Sequence, residues 1–148
     1  MSHYTLQKED YSKLDKNISI AIITAQFNKN FTDKLEELNK EFLIQEWFTN
    51  IHTYQVPGAY EIPGMAKQLI DRKNTDLIIC LWVVIKWDTP HFDYVCWESA
   101  RWIMNLTTVC STPIMNWVLT CFSEKQVHER LKPVYALSWL NTLVAYNQ

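Results

Sequence analysis

Four short apolar runs are separated by stretches with a helical repeat, and this alternation leaves few folds open. Residues 18–27, "ISIAIITAQF", are β-branched and continuous and read as a buried strand. Residues 31–46 place Leu35, Leu38, Phe42 and Leu43 on one helical face, with Glu36 and Lys40 as a supporting pair four residues apart. Residues 50–56 alternate and read as a second strand. Residues 62–73 read as a helix with Pro63 in its first turn. "TDLIICLWVVIK" (75–86) is a long apolar strand, expected at the sheet centre. Residues 90–110 read as a long helix opened by Pro90, and 113–121 as a fourth strand. Ser123 and Gln126 have capping-box spacing for a short helix, and 139–147 closes the chain with another. The order βαβαβαβαα with unbroken apolar strands predicts an α/β fold: a three-layer αβα sandwich around a four-stranded parallel sheet, flavodoxin-like. Ligands of such sheets bind beyond the carboxyl ends of the strands, near helix N-termini. That directs attention to "QFNKN", "VPGAYEIP", "IKWDTPHF" and "MNWVLT".

The 148 residues suffice for one domain. We place an N-terminal segment at 1–17, able to pair with a neighbouring subunit, and the domain proper at 18–148. A net charge of −2 gives no footprint for nucleic acid or an anionic membrane. No run of about 18 apolar residues is present, so no membrane span is expected. The polar start lacks a signal core, so a cytoplasmic location is expected. Cys80, Cys96, Cys110 and Cys121 show no C-x-x-C spacing and read as buried free thiols, with no metal site. Two counts are unusual. Glycine, commonly about 7% of a chain, occurs only at Gly58 and Gly64, whereas tryptophan occurs seven times.

In "DTPH", Thr89 is a suitable N-cap, Pro90 fits the first helical position and His91 falls in the first turn. A helix start offers free N–H groups and partial positive charge to a phosphate, and a histidine there moves protons near neutral pH. The plain alternative is a capped helix with a surface histidine. Glu61 either accepts from ligand hydroxyls or caps its helix. Phe27 is either core or a stacking surface for a flat ring. Arg130 either complements a helix C-terminus or reaches a phosphate. The charges of "KLEELNKE" read as a solvated helix face.

"QFN", "VPGAYEIP", "VVIKWDTPHFDYV" and "WVLT", in this order and spacing, resemble the 6,7-dimethyl-8-ribityllumazine synthase family over roughly residues 18–147. The resemblance implies an enzyme of the penultimate step of riboflavin synthesis, condensing 5-amino-6-(D-ribitylamino)uracil with 3,4-dihydroxy-2-butanone 4-phosphate. The amine forms an imine with the ketone, phosphate leaves, and the ring closes with loss of water. No cofactor is implied. By resemblance, Phe27 stacks on the uracil, Ala59, Tyr60 and Glu61 hold the ribityl chain, and the backbone of Val84 and Ile85 meets the substrate. Asp88 and Thr89 form the phosphate-binding turn, Arg130 binds the same phosphate, and His91 transfers protons. Asn116 matches a position lent by a neighbouring subunit. The implied partners are the two small-molecule substrates, copies of the chain in a pentamer or a multiple of pentamers with the site between subunits, and riboflavin synthase. Two other readings stay open: a non-catalytic shell or flavin- or lumazine-binding protein on the same scaffold, and a flavodoxin-like electron carrier.

The chain departs from the family pattern in two places. After Arg130 the family's glycine- and lysine-rich loop is replaced by "LKPVYALSW", with Val134 and Ser138 where lysines are usual and Lys132 as the nearest replacement. All of Trp47, Trp82, Trp87, Trp97, Trp102, Trp117 and Trp139 stand where the family usually has glycine. Either the chain was redesigned, or a codon that its source reads as glycine is written here as tryptophan. The second account explains both unusual counts together.

Overall fold

The computed structural model describes residues 5–148. Its elements are β1 (Ile20–Ala25), α1 (Lys29–Gln45), β2 (Ile51–Val56), α2 (Glu61–Arg72), β3 (Leu77–Ile85), α3 (His91–Val109), β4 (Ile114–Cys121), α4 (Glu124–Arg130), a 3-10 turn (Pro133–Ala136) and α5 (Leu137–Tyr146). The four strands are all parallel, in the order β2-β1-β3-β4. The expected α/β sandwich is therefore the observed one.

Burial explains why the central strands carry no polar alternation. Every residue of β1 is buried, as is all of β3 except Ile85. On one face Ile20 and Ile22 of β1 and Leu77, Ile79, Leu81 and Val83 of β3 pack under Phe31, Leu35 and Leu43 of α1 and Leu140 and Leu143 of α5. On the other, Ile23, Ile78, Cys80 and Val84 pack under Ile62, Ala66 and Leu69 of α2 and Phe92, Val95 and Ile103 of α3. A strand covered on both sides must be apolar throughout. The outer strand β2 is half-exposed or exposed until Val56.

Several local expectations need correction. No side chain caps α3: Pro90 takes the cap position at helical dihedrals (φ −59°, ψ −13°), and His91 opens the helix. The proline ring sets a helical φ, so the turn is already formed at Pro90. Thr89 contributes its carbonyl, which accepts weakly from the Phe92 N–H at 3.4 Å. The capping box at α4 is half formed. The Ser123 hydroxyl accepts from the Gln126 N–H at 3.4 Å, but the Gln126 side chain accepts from Phe122, one residue earlier than the box requires, at 2.8 Å. Nor is the charged face of α1 simply solvated. Glu36 accepts from Lys40 at 2.6 Å, from the buried Thr24 hydroxyl of β1 at 2.7 Å and from Gln55 of β2 at 2.9 Å, so it ties the helix to two strands.

Described residues of the segment before β1 pack against the domain of the same chain, and residues 1–4 lie outside the described residues. Tyr11 is buried, and its hydroxyl donates to Asn141 of α5 at 2.6 Å. Lys16 sits 4.3 Å over the ring of Phe48 and donates to the Tyr11 carbonyl at 2.9 Å. No helix among the described residues is long and apolar enough to cross a membrane. All four cysteines are free; Cys80 and Cys121 are buried, while Cys96 and Cys110 are only half-buried.

Candidate active site

Strand order fixes where a ligand can sit. From β1 the chain steps outward through α1 to β2, then returns over β1 through α2 to β3. The helices leaving β1 and β3 therefore diverge to opposite faces, and a crevice opens at their carboxyl ends. A cavity of about 420 Å³ lies there. Its walls come from three loops: Phe27 and Asn28 after β1, Gly58 to Glu61 after β2, and Trp87, Thr89 and His91 after β3.

The loop after β1 turns on Asn28, which is left-handed (φ 55°, ψ 44°). Asparagine tolerates that region better than most residues. Its carbonyl accepts the first N–H groups of α1, from Phe31 at 2.9 Å and Thr32 at 3.1 Å. Its side-chain amide donates to the Val83 carbonyl at 2.8 Å, clamping the ends of β1 and β3 together. Phe27, just before it, is 65% exposed. It is therefore not core, and its ring lies free for stacking.

The loop after β2 depends on Gly58. A Cβ there would meet Phe27 at 3.2 Å and a Glu61 carboxylate oxygen at 3.3 Å. Glycine thus lets the ring close on the backbone while the Gly58 N–H donates to Glu61 at 2.8 Å. Glu61 also opens α2, where a carboxylate suits the helix dipole. Its side chain closes the loop before α2 and caps none of the helix's own N–H groups, and the same side chain lines the cavity. Ala59 is buried beneath it and Tyr60 is half exposed beside it.

The loop after β3 carries His91 at the start of α3. Its ring meets Trp87 nearly parallel, with centroids 5.6 Å apart and planes at 19°, and Tyr60 edge-on at 6.4 Å. Among the described residues the backbone N–H groups of Thr89 and His91 have no backbone acceptor, so both are free for an anion.

The other expected site residues lie apart from this lining. Val84 is buried in the core and Ile85 is half-buried at the strand end; Trp82 and Val83 are the β3 residues that reach the cavity. Asp88 is exposed on the loop without lining the cavity. Asn116 is exposed on β4, its side-chain oxygen accepting from the Val118 N–H at 3.2 Å. Arg130 is exposed at the end of α4 and donates to the Gln126 carbonyl at 3.2 Å, while Lys132 is exposed beyond it. Sequence reasoning did not single out Asn28, Gly58, Val83 or Val95 as lining residues. For Asn28 and Gly58 the usable signal was residue type, since both favour tight turns at strand ends.

Among the described residues no cluster of histidine, cysteine and carboxylate side chains could hold a metal ion. The site thus combines an exposed aromatic ring, a carboxylate, an imidazole and free N–H groups at a helix start. That set can stack a flat heterocycle, accept from hydroxyls, move a proton and receive an anion.

The family model described as 6,7-dimethyl-8-ribityllumazine synthase matches residues 17–145. Proteins of that name are similar along most of their length. The one from Campylobacter jejuni (strain 81-176) is 40% identical over 119 residues, covering 79% of this chain and 77% of its own. That of Limosilactobacillus reuteri is 37% identical over 115 residues, covering 78% and 76%. That of Desulfosudis oleivorans is 36% identical over 117 residues, covering 78% and 74%. With both the fold and the sequence in agreement, the chain belongs to the 6,7-dimethyl-8-ribityllumazine synthase family.

Proposed function

We propose that the cavity between β1 and β3 is where this enzyme, a transferase of riboflavin biosynthesis, joins 5-amino-6-(D-ribitylamino)uracil to 3,4-dihydroxy-2-butanone 4-phosphate. The observation that carries the assignment is the convergence of Phe27, Glu61 and His91 on one cavity from three separate loops. Phe27 stacks on the pyrimidine. The Ala59–Glu61 loop receives the ribityl hydroxyls, with Glu61 as acceptor. Thr89 and the free N–H groups at the start of α3 face the phosphate, with Asp88 contributing to the turn through its backbone. His91 takes and returns protons as the imine forms, phosphate leaves and the ring closes.

Holding two reactants in one cavity lowers the barrier by removing the entropy of their encounter, an effect worth up to about 7–11 kcal/mol when alignment is good. Proton transfer by His91 adds about 10²–10⁴ in rate. His91 is the sole basic side chain lining the cavity among the described residues, so a doubly charged phosphate needs a further cation. We assign that role to Arg130 of an adjacent copy, with Asn116 supplied the same way. The site then forms between subunits of a homo-oligomer, as a pentamer or a multiple of it, and a single copy is inactive. Riboflavin synthase, which consumes the product, is the further partner this reading names, and the reaction is placed in the cytoplasm.

The test is to mix both substrates with the protein and follow lumazine fluorescence. His91→Ala should lower kcat by about 10²–10⁴ while substrate binding changes little. An unchanged kcat would exclude His91 from proton transfer.

A further inference from the structure

The two halves of the cavity travel with different strand pairs. Phe27 follows β1, which stays with β2 to the end: the Gln26 N–H donates to the Val56 carbonyl at 2.9 Å. Gly58 and Glu61 follow β2, and the Phe27 ring lies close over Gly58. Thr89 and His91 follow β3, which stays with β4. That register runs on to Ile85 and Cys121, and the Lys86 N–H donates to the Cys121 carbonyl at 2.8 Å.

Between the halves the ladder stops early. β1 and β3 pair in register from Ile20 and Leu77 to Thr24 and Leu81, and no further. The ladder begins with the Leu77 N–H on the Ser19 carbonyl, and alternate residues bond across a parallel pair. Continued in that register, its next rung beyond Leu81 would bring the Phe27 N–H to the Val83 carbonyl. The chain turns away instead at the left-handed Asn28, and the Asn28 side-chain amide donates to that carbonyl at 2.8 Å. A side chain thus takes the place of a backbone rung.

The substitution has two effects. A continued ladder would keep Phe27 in the sheet, whereas the turn lets β1 and β3 part and opens the cavity that Asn28 itself lines. The amide then ties the parted ends at a set separation. The position needs both tolerance of φ 55° and a side-chain N–H donor. Glycine has the first alone, and aspartate, when ionised, lacks the second.

Resting on the assignment of this cavity to the lumazine reaction, we propose that Asn28 is a positioning residue for that reaction. It acts through the Val83 carbonyl. It fixes the distance between the half that stacks the pyrimidine and the half that receives the phosphate and moves protons. Each half binds its own reactant without the tie, but the tie sets the approach of one reactant to the other. A misplacement of about 1 Å between reacting groups costs about 10²-fold in rate. The loss therefore falls on kcat and leaves KM nearly untouched.

The experiment uses the full chain with Asn28→Gly, and with Asn28→Asp as a second variant of the same shape if the glycine variant folds poorly. Hydrogen exchange is read by mass spectrometry over residues 82–86. That stretch is far from position 28 in sequence, so a change there reports the lost bond and not a looser turn. Lumazine formation is read by fluorescence with both substrates. Both variants should exchange about tenfold faster over 82–86, as a freed strand end does. Their kcat should fall by about tenfold or more, with each KM within about threefold of the parent. Unchanged exchange in both folded variants overturns the proposal, whatever happens to the rate. Faster exchange with an unchanged kcat, or a raised KM with kcat held, overturns the positioning role. Faster exchange in the variants of a parent that makes no lumazine upholds the tie and refutes the reaction assigned to the cavity.

Discussion

Trp47→Gly isolates a single backbone strain, and its effect can be worked from the geometry. Trp47 holds φ at 69° and is 78% exposed. A left-handed backbone costs an ordinary L-residue about 1–2 kcal/mol, and glycine avoids that cost. Glycine also gains freedom in the unfolded chain, which offsets about 0.5–1 kcal/mol. The indole covers little surface, so its loss subtracts little more. The net is a stabilisation of about 0.5–1 kcal/mol, or roughly 1–4 °C in Tm for a chain of this size. Urea melts followed by circular dichroism give both variant and parent, and an unchanged slope with a shifted midpoint marks a true stability change. Trp47→Ala is the decisive companion, because alanine removes the indole but keeps the strain. The glycine variant should exceed the alanine variant by about 1 kcal/mol. If the two are equally stable, the left-handed conformation is not what position 47 demands, and the strain argument fails.

The remaining expectations concern the site, the core and the polypeptide itself. Gly58→Ala should push Phe27 off the loop, since the new Cβ would stand 3.2 Å from its ring. Because that ring is exposed and can yield, stability should fall by no more than about 1 kcal/mol, while KM for the pyrimidine rises with kcat little changed; a large loss of stability at constant KM would contradict it. Burial pushes the Cys80 thiol up to about 12 from its ordinary 9.0, and burial with the nearby Glu46 carboxylate pushes the Tyr11 hydroxyl up to about 12. Both folded values lie above the unfolded ones, so the stability they contribute is full below the ordinary values, 9.0 for Cys80 and 10.0 for Tyr11, and is lost as pH rises from there to about 12. For Cys80 alone the loss is on the order of 4 kcal/mol, and Cys80→Ser should flatten a plot of melting midpoint against pH in that window. The intact mass of the protein isolated from its own source should be lower than the sequence with seven tryptophans requires; a mass that matches all seven refutes the codon account.

Much of the fold was legible because the sheet is buried on both faces. Continuous apolar strands such as 75–86 and the helical repeat of 31–46 follow directly from that burial. Strand ends were less legible, since they depend on partners far along the chain. Ile18 and Ser19 were counted in β1, yet the Ser19 N–H is taken by the Asp76 carboxylate at 2.7 Å and the strand starts at Ile20. At the other end Phe27 leaves the strand because the left-handed Asn28 turns the chain there. Glu36 looked like a solvated charge for the same kind of reason. Helical periodicity shows which face of α1 it occupies, but not that Thr24 and Gln55 wait opposite it.

The site divides along a different line. Residues on the loops after β1, β2 and β3 could be placed because the topology gathers those loops at one crevice. Arg130 and Asn116 lie outside the cavity lining, and their own hydrogen bonds, to the Gln126 carbonyl and from the Val118 N–H, are local ones that say nothing of a ligand. The tryptophans show how far a substitution pattern and a structure can be pressed together. Trp117 and Trp139 meet edge to face at 5.8 Å, and Asn39 satisfies Trp139, so the core around α5 accommodates them. Trp97 and Trp102 stand exposed on α3, where bulk is tolerated. Misfit is concentrated at Trp47, in a left-handed turn, at Trp82, with a buried unpaired N–H, and at Trp87, over the imidazole. A chain selected with tryptophan at these places would have matched the Trp82 N–H and kept a bulky indole out of the left-handed region, which it otherwise gives to Asn28 and Lys73. The misfit therefore falls where glycine has a distinct physical job, and it is absent where any small residue would have served.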